Sequence, residues 1–159
     1  MMKIIGLDPG TTQSAWCMLR DGKLHLFGKW PNDVLLAQLR QGTDEWAGDA
    51  ILAIEGIASY GMAVGKEIFT TCIWIGRFME AWENRGGHVR LVYRRDVKLF
   101  HCQTVKASDS NIRAAILDRF GGREIAVGTK KQPGPLYGIK QDVWSALAIA
   151  LLVADAPTP

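Results

Sequence analysis

Residues 3–22, KIIGLDPGTTQSAWCMLRDG, decide the fold. Lys3 to Asp8 is a short apolar run that stops at Pro9-Gly10, and the apolar pattern resumes from Ser14 to Leu19 before the turn pair Asp21-Gly22. Two strands joined by a tight turn satisfy this spacing, because Pro and Gly end a ladder where the chain must reverse. Leu24 to Trp30 alternates apolar and other residues (Leu24, Leu26, Phe27, Trp30) and reads as a third strand of the same meander.

Working outward, Asn32 is placed to cap a short helix with Val34, Leu35 and Leu39 on one side. Ala50 to Glu55 is a further apolar run ending in a carboxylate. Lys66 to Asn84 is predicted as a long helix closing at Gly86-Gly87, and His88 to Arg94 as a strand. Ser108 starts a helix in which Ile112, Ile116 and Phe120 recur every four residues until Gly121-Gly122 stops it. The Gly- and Pro-rich stretch from Arg123 to Lys140 reads as a mobile basic loop. Gln141 to Ala154 is a final helix, apolar nearly all round and therefore buried. A sheet with helices on its faces is an α/β layer architecture.

The chain has 159 residues, 48% of them hydrophobic, enough for one compact domain over residues 1–156. Its longest apolar run, Val143 to Ala154, is too short to span a bilayer, and no basic stretch leads into an apolar signal core at the start. The expectation is a cytoplasmic protein without membrane association. Cys17, Cys72 and Cys102 are odd in number and lack C-x-x-C spacing, which argues against both a disulfide framework and a zinc site. The net charge of +3 is unevenly spread: residues 85–140 hold 12 basic and 4 acidic side chains, a local +8. Clustered Lys and Arg favour phosphate through counterion release.

Three acids stand at the ends of otherwise apolar elements. Asp8 closes the first strand, Glu55 closes the Ala50 run and is followed by Gly56, and Asp142 lies in the first turn of the last helix with Ser145 one turn on. An Asp before Pro-Gly is often only a turn former, and an Asp in a first helical turn is favoured by the helix dipole. Glu55, directly after Ile51-Leu52-Ala53-Ile54, is costly to bury unless paired or bound to metal. Together the three make an oxygen cage of the kind that suits Mg²⁺ or Mn²⁺.

At these residues the chain resembles the RuvC-like Holliday junction resolvases of bacteria and their phages. Ile4-Ile5-Gly6-Leu7-Asp8-Pro9-Gly10 with Ser14-Ala15-Trp16 is similar to that family's first motif, Ala53-Ile54-Glu55 to its second acidic motif, and Asp142 through Ala146-Leu147-Ala148-Ile149-Ala150 to its C-terminal one. The resemblance implies a ribonuclease H-like fold: a mixed five-stranded sheet, a three-stranded antiparallel meander plus two parallel strands, flanked by helices. It implies a two-metal endonuclease with Asp8, Glu55 and Asp142 as catalytic ligands and Mg²⁺ or Mn²⁺ as cofactor, two ions per site. The substrate would be branched DNA, above all a four-way junction, cut in a bacterial or phage-infected cytoplasm. Relatives carry a second Asp where this chain has Ser145, so Ser145 or water would complete the metal set. They also tend to show a Gly-x-Gly segment and a Lys where this chain has Thr104 to Lys106 and then Asp109.

Arg94, Arg95, Lys98, Lys106, Arg113, Lys130 and Lys131 are the candidate phosphate contacts, and Lys140, beside Asp142, could offset phosphoryl charge. In the family, residues just after the second acid help to open the junction; here Tyr60 and Met62 occupy that stretch. The Lys66 to Asn84 helix, with Phe69, Cys72, Ile73, Trp74, Ile75, Phe78, Met79 and Trp82 around most of its circumference, has more apolar surface than one core needs. A homodimer follows, with two equivalent sites for two cuts. Three other readings compete: an actin-like ATPase or sugar kinase, whose first phosphate loop Gly6 to Thr12 also resembles; a general branch or flap nuclease; and a non-catalytic nucleic-acid-binding module.

Overall fold

The computed structural model describes residues 2–156; the Pro157-Thr158-Pro159 end, which the sequence reads as frayed, lies outside them. The elements run β1 (Lys3–Asp8), β2 (Gln13–Arg20), β3 (Lys23–Pro31), α1 (Asn32–Gln41), a 3₁₀ turn at Asp44–Trp46, β4 (Ile51–Glu55), α2 (Lys66–Glu83), β5 (His88–Val92), α3 (Arg94–Cys102), α4 (Asp109–Arg119), α5 (Arg123–Val127) and α6 (Val143–Asp155). The strands form one sheet in the order β3-β2-β1-β4-β5. β1, β2 and β3 pair antiparallel, while β4 runs parallel to both β1 and β5. This is the mixed five-stranded sheet expected above.

Alternation along the strands splits the core into two layers. Ile4, Ala15, Cys17, Leu19 and Ala53 face α6 and α4, whereas Ile5, Leu7, Trp16, Met18, Leu52 and Ile54 face α1 and α2. α6 is apolar on nearly every side because it lies on the sheet and is itself covered by α3 and α4. On the other layer Trp82 is fully buried and donates its indole N–H to the Ala50 carbonyl at 3.0 Å, tying α2 to the start of β4. α2 buries Ile75, Phe78 and Trp82 but leaves Phe69 and Ile73 60% and 64% exposed. No helix among the described residues is long and apolar enough to cross a membrane.

Four local readings change. Asn32 does not cap α1: Pro31 holds the N-cap position, and the Asn32 side chain is buried elsewhere. The fifth strand ends at Val92, so Arg94 opens helix α3, whose start carries two arginines and an Asp rather than an apolar stripe. α5 was likewise hidden by its Gly and Pro neighbours. Finally, residues 123–140 are packed rather than a free loop. Ala126 and Leu136 are buried, the Gly134 and Leu136 N–H groups donate to the Val127 and Ala126 carbonyls, and Gly128 bridges to Pro133.

Candidate active site

The β1/β4 register runs from Ile4 opposite Ile51 to Leu7 opposite Ile54, so the next residues, Asp8 and Glu55, end adjacent parallel strands side by side. Their carboxyl groups are close enough for each to shift the other's titration. Burial raises the Asp8 pKa first; the charges of Glu55 and Asp142 raise it further, and it reaches about 8 against an ordinary 3.8, although Arg94 pulls it down. Burial also raises the Glu55 pKa, opposed by Arg94 and by the hydrogen bond from Asp8. Burial and the neighbouring acids thus favour a proton on the Asp8–Glu55 pair, as expected for two like charges forced together.

The turn after Asp8 is clamped from below. The Gly10 N–H donates to Ser14 Oγ (3.1 Å), Ser14 Oγ–H donates to Asn32 Oδ1 (2.6 Å), and Asn32 Nδ2 donates to the Gly10 carbonyl (2.9 Å). Ser14 and Asn32 are each 1% exposed, so this triangle is a fully satisfied buried polar knot that fixes where β1 releases Asp8. A side chain at Gly10 would meet the Gln13 carbonyl at 2.2 Å, which explains the glycine.

Asp142 arrives from the other side, in the N-cap position of α6. Its charge reaches Asp8, yet its Oδ2 accepts a 2.7 Å hydrogen bond from Lys29 Nζ on β3. Ser145, half-buried one turn on, lines a cleft of about 220 Å³ with Asp142, Asp109, Arg94, Arg113 and Trp144. Arg94 stands between the two halves of the site. It pairs with Asp109 at the start of α4, lines that cleft, and also lines the cleft of about 240 Å³ that holds Asp8, Glu55, Tyr60 and Tyr93. Arg113 lies over the Trp144 ring, 5.0 Å from its centroid.

Of the remaining predicted residues, Arg95 and Lys98 share a depression with Tyr60, Arg94 and Val105 next to the acid pair. Tyr60 is 62% exposed at a left-handed φ of 50°, a conformation costly for a bulky side chain and found where a loop must present one. Met62 is exposed in the same loop but lines neither cleft. Lys106, Lys130, Lys131 and Lys140 are exposed, outside the residues that line these depressions. Sequence reasoning missed Lys29 and Asp109. Lys29 sits at an alternating position of β3 on the α6 side, and that register was the signal that could have found it.

An all-oxygen pair at adjacent strand ends fits a hard divalent cation, which would relieve the repulsion between the two carboxylates. Among the described residues no group of three His, Cys, Asp or Glu side chains is close enough to hold an ion. The fit is therefore to one ion at Asp8 and Glu55, with Asp142 engaged by Lys29.

No family model matches the chain, and no curated protein matches it. Among solved structures it is similar to Thermus thermophilus RuvC, with a TM-score of 0.73 and 16% identity over 99% of this chain and 98% of that one. It is similar also to T. thermophilus RuvC in complex with a Holliday junction substrate, with a TM-score of 0.70 and 17% identity over 97% of this chain and 93% of that one. The likeness extends over the whole sheet and its helices and establishes the ribonuclease H-like fold.

Proposed function

We propose that this chain is a RuvC-like, metal-dependent, structure-selective endodeoxyribonuclease that resolves Holliday junctions by paired phosphodiester hydrolysis in a bacterial or phage-infected cytoplasm. The observation that carries the reading is the placement of Asp8 and Glu55 side by side at the ends of adjacent parallel strands. Asp8 and Glu55 would hold one Mg²⁺, with Mn²⁺ able to replace it; the second ion that the family resemblance implies would need Asp142, with the Ser145 hydroxyl or water, released from Lys29. Bound there, such ions supply a nucleophilic water and stabilise the leaving 3′ oxygen. No side-chain nucleophile is required.

The chain's own residues do the rest. Asp8 would hold the ion as the carboxylate, and the Ser14–Asn32 knot fixes the turn from which it projects. Arg94, Arg95 and Lys98, which line one depression with Tyr60, would contact the DNA backbone and position the duplex without reading sequence. Tyr60, exposed on its loop, would stack at the branch, and recognition of the branch would come from DNA shape. A non-catalytic module of the same fold is the second reading, favoured by Ser145 and by the engagement of Asp142 with Lys29.

Cleavage of four-way, three-way, flap and linear duplexes side by side, with Mg²⁺ and with Mn²⁺, tests both. We expect symmetric cuts in the four-way junction at least about tenfold faster than in linear duplex, a preference of roughly 1.4 kcal/mol. Equal cutting of flaps and three-way branches would make it a general branch nuclease. Tight junction binding without cutting in either metal would make it a binding module.

Two cuts in strands of like polarity call for two equivalent sites, and the exposed Phe69 and Ile73 on α2 would supply the apolar patch of a two-fold dimer. Sedimentation at micromolar concentration should find a dimer that Ile73→Glu converts to a monomer. A wild-type monomer both free and junction-bound would remove the paired-cut scheme.

A further inference from the structure

We propose that the cleft beside Asp142 is an anion subsite: Arg113, held on the Trp144 ring, takes a backbone phosphate of the DNA strand next to the one at Asp8 and Glu55. The inference rests on the nucleic-acid reading above and puts an anion where the resemblance implies a second metal ion.

Two helices build the cleft. Asp109 and Arg113 stand one turn apart on α4, Asp142 and Ser145 one turn apart at the start of α6, and the packing of α4 on α6 brings all four to one opening. Arg94, at the start of α3, lines this cleft and also the one that holds Asp8 and Glu55, so the two clefts share a side chain. At about 220 Å³ the cleft is smaller than the roughly 300 to 1,000 Å³ that encloses a whole small-molecule ligand. It suits one group of a longer chain.

The charges decide which group. Asp142 is answered by Lys29, and Asp109 by Arg94. Among the described residues no carboxylate pairs with Arg113, so the charge left over in the cleft is positive. With both acids engaged and only a neutral hydroxyl at Ser145, a divalent cation finds no free anionic ligand here. That hydroxyl can instead donate to a phosphate oxygen, which a carboxylate in its place would repel. Arg113 is also held in shape to receive the phosphate. Its guanidinium lies over the Trp144 ring, 5.0 Å from the centroid, and Trp144 packs on the α6 core layer. A guanidinium resting on an indole face keeps its N–H edge free, and that edge matches phosphate. Arg94 pairs with Asp109 through one nitrogen and has others left to donate.

The test is binding of a four-way junction and of a linear duplex in EDTA, measured by anisotropy across a salt series, for wild type, Arg113→Gln, Arg113→Lys, Ser145→Asp and Arg40→Gln. Arg40 is exposed on α1, on the other face of the sheet from α6, and serves as the control. Thermal melts confirm that each variant is folded; should Ser145→Asp fail, the Arg113 pair carries the test. We expect Arg113→Gln to weaken binding about three- to tenfold and to lower the slope of log K against log[salt] by about one. Arg113→Lys should keep the slope, and Arg40→Gln should match wild type. Ser145→Asp should bind more weakly, in EDTA and in Ca²⁺ alike. Methylphosphonates placed one at a time around the branch then locate the contact: at one position the neutral group should weaken wild type and leave Arg113→Gln unchanged. An unaltered slope in Arg113→Gln, an equal loss in Arg40→Gln, or no position that separates the two proteins would overturn the proposal. So would a Ser145→Asp loss that Ca²⁺ reverses, since that would mark a cation site. No step needs cleavage, so a chain that binds with these slopes but never cuts would defeat the nuclease reading alone, and one that binds neither DNA would defeat both.

Discussion

Asp8→Asn is expected to abolish cleavage, by about a thousandfold or more, while making the metal-free protein more heat-stable at pH 8. A thousandfold loss corresponds to about 4 kcal/mol of transition-state stabilisation, within what a lost metal ligand costs. The gain in stability follows from the same carboxyl. Asp8 binds its proton with a pKa of about 8 in the folded chain and near 3.8 once unfolded, so between those values the folded state holds more protons. Its contribution to stability is fully present below pH 3.8 and is lost as pH rises through 8. Asparagine imitates the protonated acid, can donate to Glu55, and does not titrate. Melts in EDTA should show the wild-type midpoint falling from pH 6 to pH 8.5, while the variant falls less and lies above it at the alkaline end. A gain of 2 kcal/mol at pH 8 would appear as roughly 4 to 8 °C. A wild-type midpoint that climbs with pH would mean that Asp8 and Glu55 are not a proton-sharing buried pair.

The parts of this site that could be read in advance are those written in short-range pattern. Apolar runs ending in Asp8 and Glu55 announce strand ends, and the pairing of those ends then brings the acids together. Lys29 and Asp109 are different, because nothing near them in the chain marks them. Lys29 matters only through a two-strand register, and Asp109 only through Arg94. Helix α3 escaped because Val97 is its one buried residue and its cap is a Tyr93–Asp96 pair instead of Ser or Thr. The basic segment at 123–140 has the Gly and Pro content of a loop, but Ala126 and Leu136 insert into the α6 layer and hold it. Local composition says where a chain can turn; burial of two distant apolar residues decides whether the turn is packed.

Gly6→Ala is expected to damage stability and site together, because Gly6 is where β1 and α6 touch. A methyl group there would lie 2.3 Å from the Ala146 carbonyl oxygen and 2.7 Å from the Ala150 Cβ. Neither neighbour can yield by rotating a side chain, since one is helix backbone and the other a bare methyl. The helix must move off the sheet, and overpacking of a rigid contact costs about 3 kcal/mol or more. For a chain of this size that is a fall in melting temperature of roughly 6 to 12 °C. Asp142 rides on the N-terminus of that helix, so the displacement carries it away from Asp8. Cleavage should therefore fall further than the loss of folded protein explains, measured at a temperature where the variant is still fully folded. Gly76→Ala in α2 is the control: a methyl there meets nothing within 4 Å, and alanine is the better helix former, so its midpoint should hold or rise. If Gly6→Ala behaved like Gly76→Ala, the close approach of α6 to β1 would be wrong, and the placement of Asp142 opposite Asp8 would go with it.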